Sequence, residues 1–335
     1  MAKIIFSKKR KSLSRSIILI VLLVMMINPP SLLPSIQETQ KKEMGYDIAV
    51  SAISLAVTVQ TRSGKYVNDL TLEDFSIYEN EEEKEITYFS HDYNAPLSLT
   101  VLLDVSGSMA LQNKLKDSKE ALQYFVSYLL DDRDELSLLI FADGDVEVAV
   151  RFSKNKEAFF RVLESTEAYG QTALNDAVAV SPDFANTGSN EKRALLLITD
   201  GIENDSQFSP DQGIEIAKKV DIPIYTIGYK IPLSEQFLEK YKRSPSLTAL
   251  GILNSLDKFS TATGGRAYFI SQVNELKSAL RTIKRDLSHQ YILGFTSYKN
   301  PKNDYRKIKI FTSKKKHVIR TREGYYSGDK KDSQF

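Results

Sequence analysis

The chain has 335 residues, 42% of them hydrophobic and 26% charged, which leaves room for one large or two modest globular domains. A formal net charge of only +2 gives no bulk electrostatic case for nucleic-acid binding. Cysteine is absent, which excludes disulfides, thiolate metal sites and cysteine nucleophiles; three histidines, His91, His289 and His317, supply little for zinc or base-assisted chemistry.

In chain order, the first segment reads as an address. Lys3, Lys8, Lys9, Arg10, Lys11 and Arg15 precede the apolar run from Ile17 to Ile27, and "NPPSLLPS" follows. A basic head before a run too short for a comfortable membrane span predicts a signal peptide or an N-terminal membrane anchor over 1–37. Either places the bulk of the chain outside the cytoplasmic membrane. "ISLAVTVQ" then alternates Ile53, Leu55, Val57 and Val59 with small or polar residues, and "FSIYE" and "EITYF" continue in that style. Such period-two alternation predicts half-exposed antiparallel strands. The acidic stretch between these two, like "DGDVE" further on, reads as a turn rather than as a cation loop.

The middle of the chain changes character. "LSLTVLL", "LSLLIF", "ALLLIT" and "IPIYTIG" are short and almost wholly apolar, as strands buried on both faces of a parallel sheet must be. Between them "KLKDSKEALQYFVSYLL", "NKEAFFRVLEST", "TALNDAVAV" and "PDQGIEIAKKV" space their apolar residues as amphipathic helices do. The alternation predicts an α/β fold, doubly wound around a mainly parallel sheet with helices on both faces. "QVNELKSALRTIKRDL" closes this region with Leu276, Leu280, Ile283 and Leu287 on one stripe. Alternating strands return in "YILGFTS", "RKIKIF" and "HVIRT". Neither flank has enough strands to stand alone, so the two are expected to pair as one β-sandwich-like domain into which the α/β domain is inserted.

The chemistry concentrates where "LTVLLDVSGSMA" turns from a buried strand to a loop. Asp104 ends the first central strand and "ALLLITDG" places Asp200 just after the fourth, counting "VEVAV" as a third, edge strand. In a sheet of order 3-2-1-4-5 the first and fourth strands flank the crevice where open parallel sheets bind ligands. Two carboxylates meeting there are costly without a cation. Ser106 and Ser108 follow Asp104, and Thr172 lies in "GQTALNDA". This all-oxygen set favours a hard divalent cation, Mg²⁺ first, with Mn²⁺ or Ca²⁺ as alternatives. A coordination position left open would suit a carboxylate from outside the chain. Ser106 as a nucleophile is disfavoured, because G-x-S-x-G is absent and no histidine sits in a triad context; the chain is read as not an enzyme.

"DVSGSM", the threonine of "GQTALNDA" and "LLLITDG" resemble the three separated elements of the metal-ion-dependent adhesion site of von Willebrand factor type A (VWA) domains. The flanks resemble those of the bacterial VWFA-related family. The resemblance implies metal ligation by Asp104, Ser106, Ser108, Thr172 and Asp200. Asp176, one helical turn after Thr172, reads either as orienting one of these ligands from behind or as a solvated helix residue. The resemblance further implies a VWA domain over 95–288, flanking β-domain parts over 46–94 and 289–327, and a polar tail over 328–335. In related adhesion domains, movement of the closing helix is linked to the metal site. The segment Lys230–Gly251 is longer than that pattern leads one to expect. The function implied is an extracytoplasmic, non-catalytic adhesion module, secreted or anchored through its N-terminal segment. It would recognise an Asp or Glu on a protein partner through the bound cation. The alternative is a cell-envelope structural or assembly factor in which the metal mainly stabilises the fold.

Overall fold

Strand β1 (Val50–Thr61) buries Leu55, Val57 and Val59 on one face, as its alternation requires. A computed structural model describes the protein over residues 50–232, 248–298, 304–313 and 316–328. The N-terminal segment 1–37, most of the long segment (233–247) and the tail from 329 lie outside the described residues. After β1 come β2 (Phe75–Glu79), β3 (Glu82–Lys84) and β4 (Ile86–Ser90). Asn80 and Glu81, both at positive φ, make the tight turn of the β2–β3 hairpin.

The central region then runs β5 (Leu97–Asp104), α1 (Lys114–Tyr128), β6 (Glu135–Ala142), β7 (Asp145–Ser153), α2 (Lys156–Ser165), α3 (Leu174–Ala185) and β8 (Lys192–Thr199). It continues with α4 (Pro210–Ala217), β9 (Ile224–Tyr229), α5 (Ala249–Thr263), β10 (Ala267–Ile270) and α6 (Val273–Ser288). These six strands form one sheet of order β10-β9-β8-β5-β6-β7, parallel throughout except for β7 against β6. Asp143 and Gly144, both at positive φ, close the β6–β7 hairpin, a pairing of residue types suited to a two-residue turn. "AYFI" adds a sixth strand that the apolar pattern did not mark: it is four residues long and partly exposed.

Every residue of β5 and β6 is buried, so both faces of the sheet are covered. Leu99, Val101 and Leu103 point into a core with α1, α2 and α6, whereas Leu102 meets α3, α4 and α5 on the other face. Because β6 and β7 lie to one side of β5, and β8, β9 and β10 to the other, the chain reverses its winding between β5 and β8.

The flanks find each other. Beyond α6, β11 (Tyr291–Tyr298) pairs antiparallel with β1, and β12 (Tyr305–Thr312) with β2. The last strands, β13 (His317–Arg320) and β14 (Gly324–Tyr326), join β1 and β12. Two four-stranded sheets, β13-β1-β11-β4 and β14-β12-β2-β3, thus enclose one core that includes Leu55, Ile77, Tyr291, Phe295 and Ile310. Among the described residues no helix is long and apolar enough to cross a membrane.

Candidate metal centre at the carboxyl edge of the central sheet

The reversal between β5 and β8 leaves a crevice at the carboxyl ends of both strands, and the two aspartates stand there. Asp104 is the last residue of β5 and has no exposed surface. Its Oδ1 accepts from the Ser106 amide at 2.9 Å, and its Oδ2 accepts from the Thr199 hydroxyl at 2.6 Å. Asp200, equally buried, follows β8 directly, and its Oδ1 accepts from the Ile202 amide at 3.1 Å. The Ser106 and Ser108 hydroxyls lie 3.2 Å apart in the loop after Asp104.

Backbone bonds join the loops that carry these groups. Gly107 N donates to Gly170 O at 3.0 Å, and Tyr169 N to Val105 O at 2.8 Å, which binds the Asp104 loop to the approach to Thr172. A Cβ on Gly170, at φ +67°, would meet the Asp143 carboxyl at 2.2 Å, so this close approach needs glycine. The carbonyl of buried Thr172 accepts from Asn204 N at 3.1 Å and Asp205 N at 3.0 Å, while Asn204 Oδ1 accepts from Thr172 N at 2.8 Å. Thr172 is thereby fixed to the loop that follows Asp200. Asp176 lies one helical turn on, but its carboxylate is engaged elsewhere. Its two oxygens accept from Gln207 N and Phe208 N, each at 2.9 Å, so it braces that same loop from the side.

Charge is the unresolved term in this arrangement. Burial first, and the neighbouring Asp200 carboxylate second, push Asp104 up to about 7, although bonds from Ser106 and Thr199 oppose the rise. One cation already addresses the pair: Lys114, the first residue of α1, is buried and places Nζ 2.6 Å from Asp200 Oδ2. Neither Lys114 nor Thr199 was singled out from sequence. Lysine is rarely buried, so position alone gives no warning that one turns inward. Thr199 reads as one more β-branched strand residue, and only its place beside a terminal aspartate distinguishes it.

Among the described residues no three histidine or acidic side chains gather at one point. The candidate donors are instead two carboxylates and three hydroxyls, a set that would suit a hard cation chemically. Asp104, Ser106, Ser108, Thr172 and Asp200 are the residues that would hold it.

Comparison with known proteins finds similarity over the central region of the chain. A family model described as the von Willebrand factor type A domain matches residues 99–203, from β5 through the loop beyond Asp200. An uncharacterized protein of Borreliella burgdorferi is 26% identical over 236 residues, 66% of this chain and 63% of its own. A UPF0353 protein of Mycolicibacterium paratuberculosis is 25% identical over 215 residues, 59% of this chain and 62% of its own. The chain therefore spans somewhat over three fifths of the length of these relatives. Among solved structures, BatB of Bacteroides thetaiotaomicron, a conserved hypothetical protein, aligns with a TM-score of 0.44 at 20% identity, over 57% of this chain and 97% of that one. The vWF domain of the type V pili tip protein Mfa5 of Porphyromonas gingivalis aligns with a TM-score of 0.43 at 13% identity, over 57% of this chain and 94% of that one.

Proposed function

On a chain that carries a von Willebrand factor type A domain, we propose that the carboxyl edge of the central sheet is a divalent-cation site through which an extracytoplasmic, non-catalytic module recognises a protein partner. The observation that carries this reading is the gathering of Asp104, Asp200, Ser106 and Ser108 where β5 and β8 part, with Thr172 held to the loop after Asp200. Two acidic groups at full burial call for positive charge. Mg²⁺ is the foremost ion, since every donor is oxygen. When bound, the ion supplies a Lewis-acidic position that an incoming carboxylate can fill.

The chain's own residues divide the remaining work. Thr199 holds Asp104 from behind, the Ile202 amide orients Asp200, and the short bonds between loops fix the hydroxyls before any partner arrives. A partner presenting Asp or Glu then meets a preorganised surface. The location outside the cytoplasmic membrane rests on the basic, apolar pattern of the first 37 residues.

Calorimetry with Mg²⁺ on the full chain tests the site. Asp104→Ala removes one carboxylate and is expected to abolish binding while the fold survives. Unchanged Mg²⁺ affinity in a folded Asp104→Ala protein rejects the assignment. Capture of partners with and without chelator then separates two roles. Loss of partner with the fold intact supports recognition, whereas loss of the fold identifies an envelope structural role for the metal.

A further inference from the structure

Lysines near a cation site are ordinarily solvated, and Lys114 is not. Only 3% of its side chain is exposed, and its Nζ stands 2.6 Å from a carboxylate with no exposure at all. An ammonium has three protons to donate and nothing to accept with, so its place at Asp200 Oδ2 is that of a counter-ion. The backbone is shaped to put it there. Gln112 and Asn113, immediately before it, both adopt left-handed conformations, at φ 54° and 60°, although neither is glycine. Consecutive non-glycine residues in that region persist only where their surroundings hold them. The surroundings do so from the end of β9: Lys230 Nζ donates to Gln112 O and to Asp117 Oδ2, both at 2.8 Å, and the Tyr229 hydroxyl donates to the same Asp117 oxygen at 2.6 Å. On the other side Ser118 Oγ donates to Lys114 O at 2.8 Å. The first turn of α1 is therefore clamped in the orientation that turns Lys114 inward.

We infer that Lys114 is a built-in cation of the Asp104–Asp200 pair, that a divalent ion must compete with it for Asp200, and that it thereby sets the affinity of the site. The inference rests on the reading of Asp104 and Asp200 as metal ligands. Both oxygens of Asp200 are already engaged, one by the Ile202 amide and one by the ammonium. A divalent ion drawing on that carboxylate faces a fixed positive charge a few ångströms away, inside a region where water does little to screen it. The lysine keeps the site charge-balanced without metal and makes metal binding weaker than the donor set alone would give. A partner carboxylate adds negative charge to the same site. The two cations can then be accommodated together, so the lysine also ties tight metal binding to the presence of a partner.

The test is calorimetry of Mg²⁺ and Mn²⁺ binding to the full chain, with thermal melts in chelator and in saturating ion. Lys114→Met removes the charge and keeps the length of the side chain. It is expected to bind both ions at least tenfold more tightly than wild type, to melt lower in chelator and to gain more on adding metal. Lys114→Arg keeps the charge and is expected to stay within threefold of the wild-type affinity. Lys114→Gln, less apolar in the same cavity, follows Lys114→Met in direction and serves if that variant does not fold. Equal affinities in wild type and the neutral variants overturn the inference and leave the metal site standing. Weaker binding in the neutral variants also overturns it, because the lysine would then be supporting the site. No binding in wild type or any variant removes the metal reading itself, and the inference with it.

Discussion

At Asp104, the fold holds a carboxyl group against its own preference. Burial and the charge of Asp200 raise it from the ordinary carboxylate value to about 7, so in metal-free protein it keeps its proton across a range where the unfolded chain has lost it. The raised value fixes the sign. Stability from this group is fully present below the unfolded value near 4 and is lost as pH rises through about 7. Asp104→Asn cannot ionise, so in chelator its melting temperature should exceed that of wild type, by a margin that grows between pH 4 and 7. The same variant should bind Mg²⁺ poorly. An equal pH dependence of both proteins in chelator would rule out Asp104 as the titrating group. Thr172 tests a different division of labour. It enters from its own loop, so Thr172→Ala is expected to weaken partner capture more than Mg²⁺ binding, and matched losses in the two measurements would contradict that. The positions of the five candidate residues were legible because each stands beside a strand end or turn that the sequence marks plainly. Lys114 was not, since its inward turn depends on Gln112, Asn113 and Lys230, which contact one another only after folding.

The strands and helices were legible for a related reason: wholly apolar runs such as "ALLLIT" have few alternatives to a sheet covered on both faces. The short β10 lacked that signal, and so did the stretch Gly107–Asn113 that carries Ser108, whose 3₁₀ turns are broken at Leu111 and Gln112. Neither buries a regular apolar face, and both take their form from neighbours. The junction of β8 with the site shows how closely elements and chemistry are joined. Gly201, directly after Asp200, has φ +76°, and a Cβ there would lie 2.3 Å from Ile252 Cγ2 on α5. Helix α5 can pack against the end of β8 only because that Cβ is missing. Gly201→Ala therefore combines overpacking with a disfavoured backbone and should cost about 1–3 kcal/mol. Either α5 moves or the Asp200 loop does. Urea unfolding gives the loss, and a parallel Mg²⁺ titration tells which element yielded: a stable loop keeps its affinity, while a displaced one does not.

Across the whole molecule, the α/β domain and the sandwich share the strip of chain where α6 becomes β11, separated only by His289 and Gln290. Charged and aromatic groups crowd that junction. His91 stacks on Tyr291 at 3.8 Å, and its buried Nε2 has no hydrogen-bond partner among the described residues. Burial, then Lys192 and His289, push it down to about 4. A depressed histidine contributes stability that is present above its unfolded value and lost as pH falls towards 4. This contribution runs opposite to that of Asp104 over about pH 6.5 to 4, so the difference in melting temperature between wild type and His91→Phe should shift against wild type as pH falls through that window; a constant difference would assign the slope to other groups. Asp286 ties the same junction together. It lies in the last turn of α6 with no exposure, accepting from Arg320 Nη2 of β13 at 2.5 Å and from the Tyr66 hydroxyl at 2.5 Å. Removing one partner of such a buried pair costs about 3–5 kcal/mol, so the sandwich grips the last turn of α6 firmly. Helix α6 in turn packs against α1 through Leu280, Ile283 and Phe125 in a common core, and α1 begins at Lys114. The contact chain from sandwich to the candidate site is thus continuous, but continuity alone does not establish coupling. A Gly/Ser insertion of about ten residues between Ser288 and His289 behaves as random coil and frees α6 from the pull of β11. If the sandwich restrains α6 and through it α1, partner affinity in Mg²⁺ should change while the fold persists. The Asp286–Arg320 pair would still hold part of the helix end, so the insertion combined with Asp286→Asn should change affinity further than the insertion alone. Unchanged affinity in both folded variants would reduce the sandwich to a stalk that carries the site without acting on it.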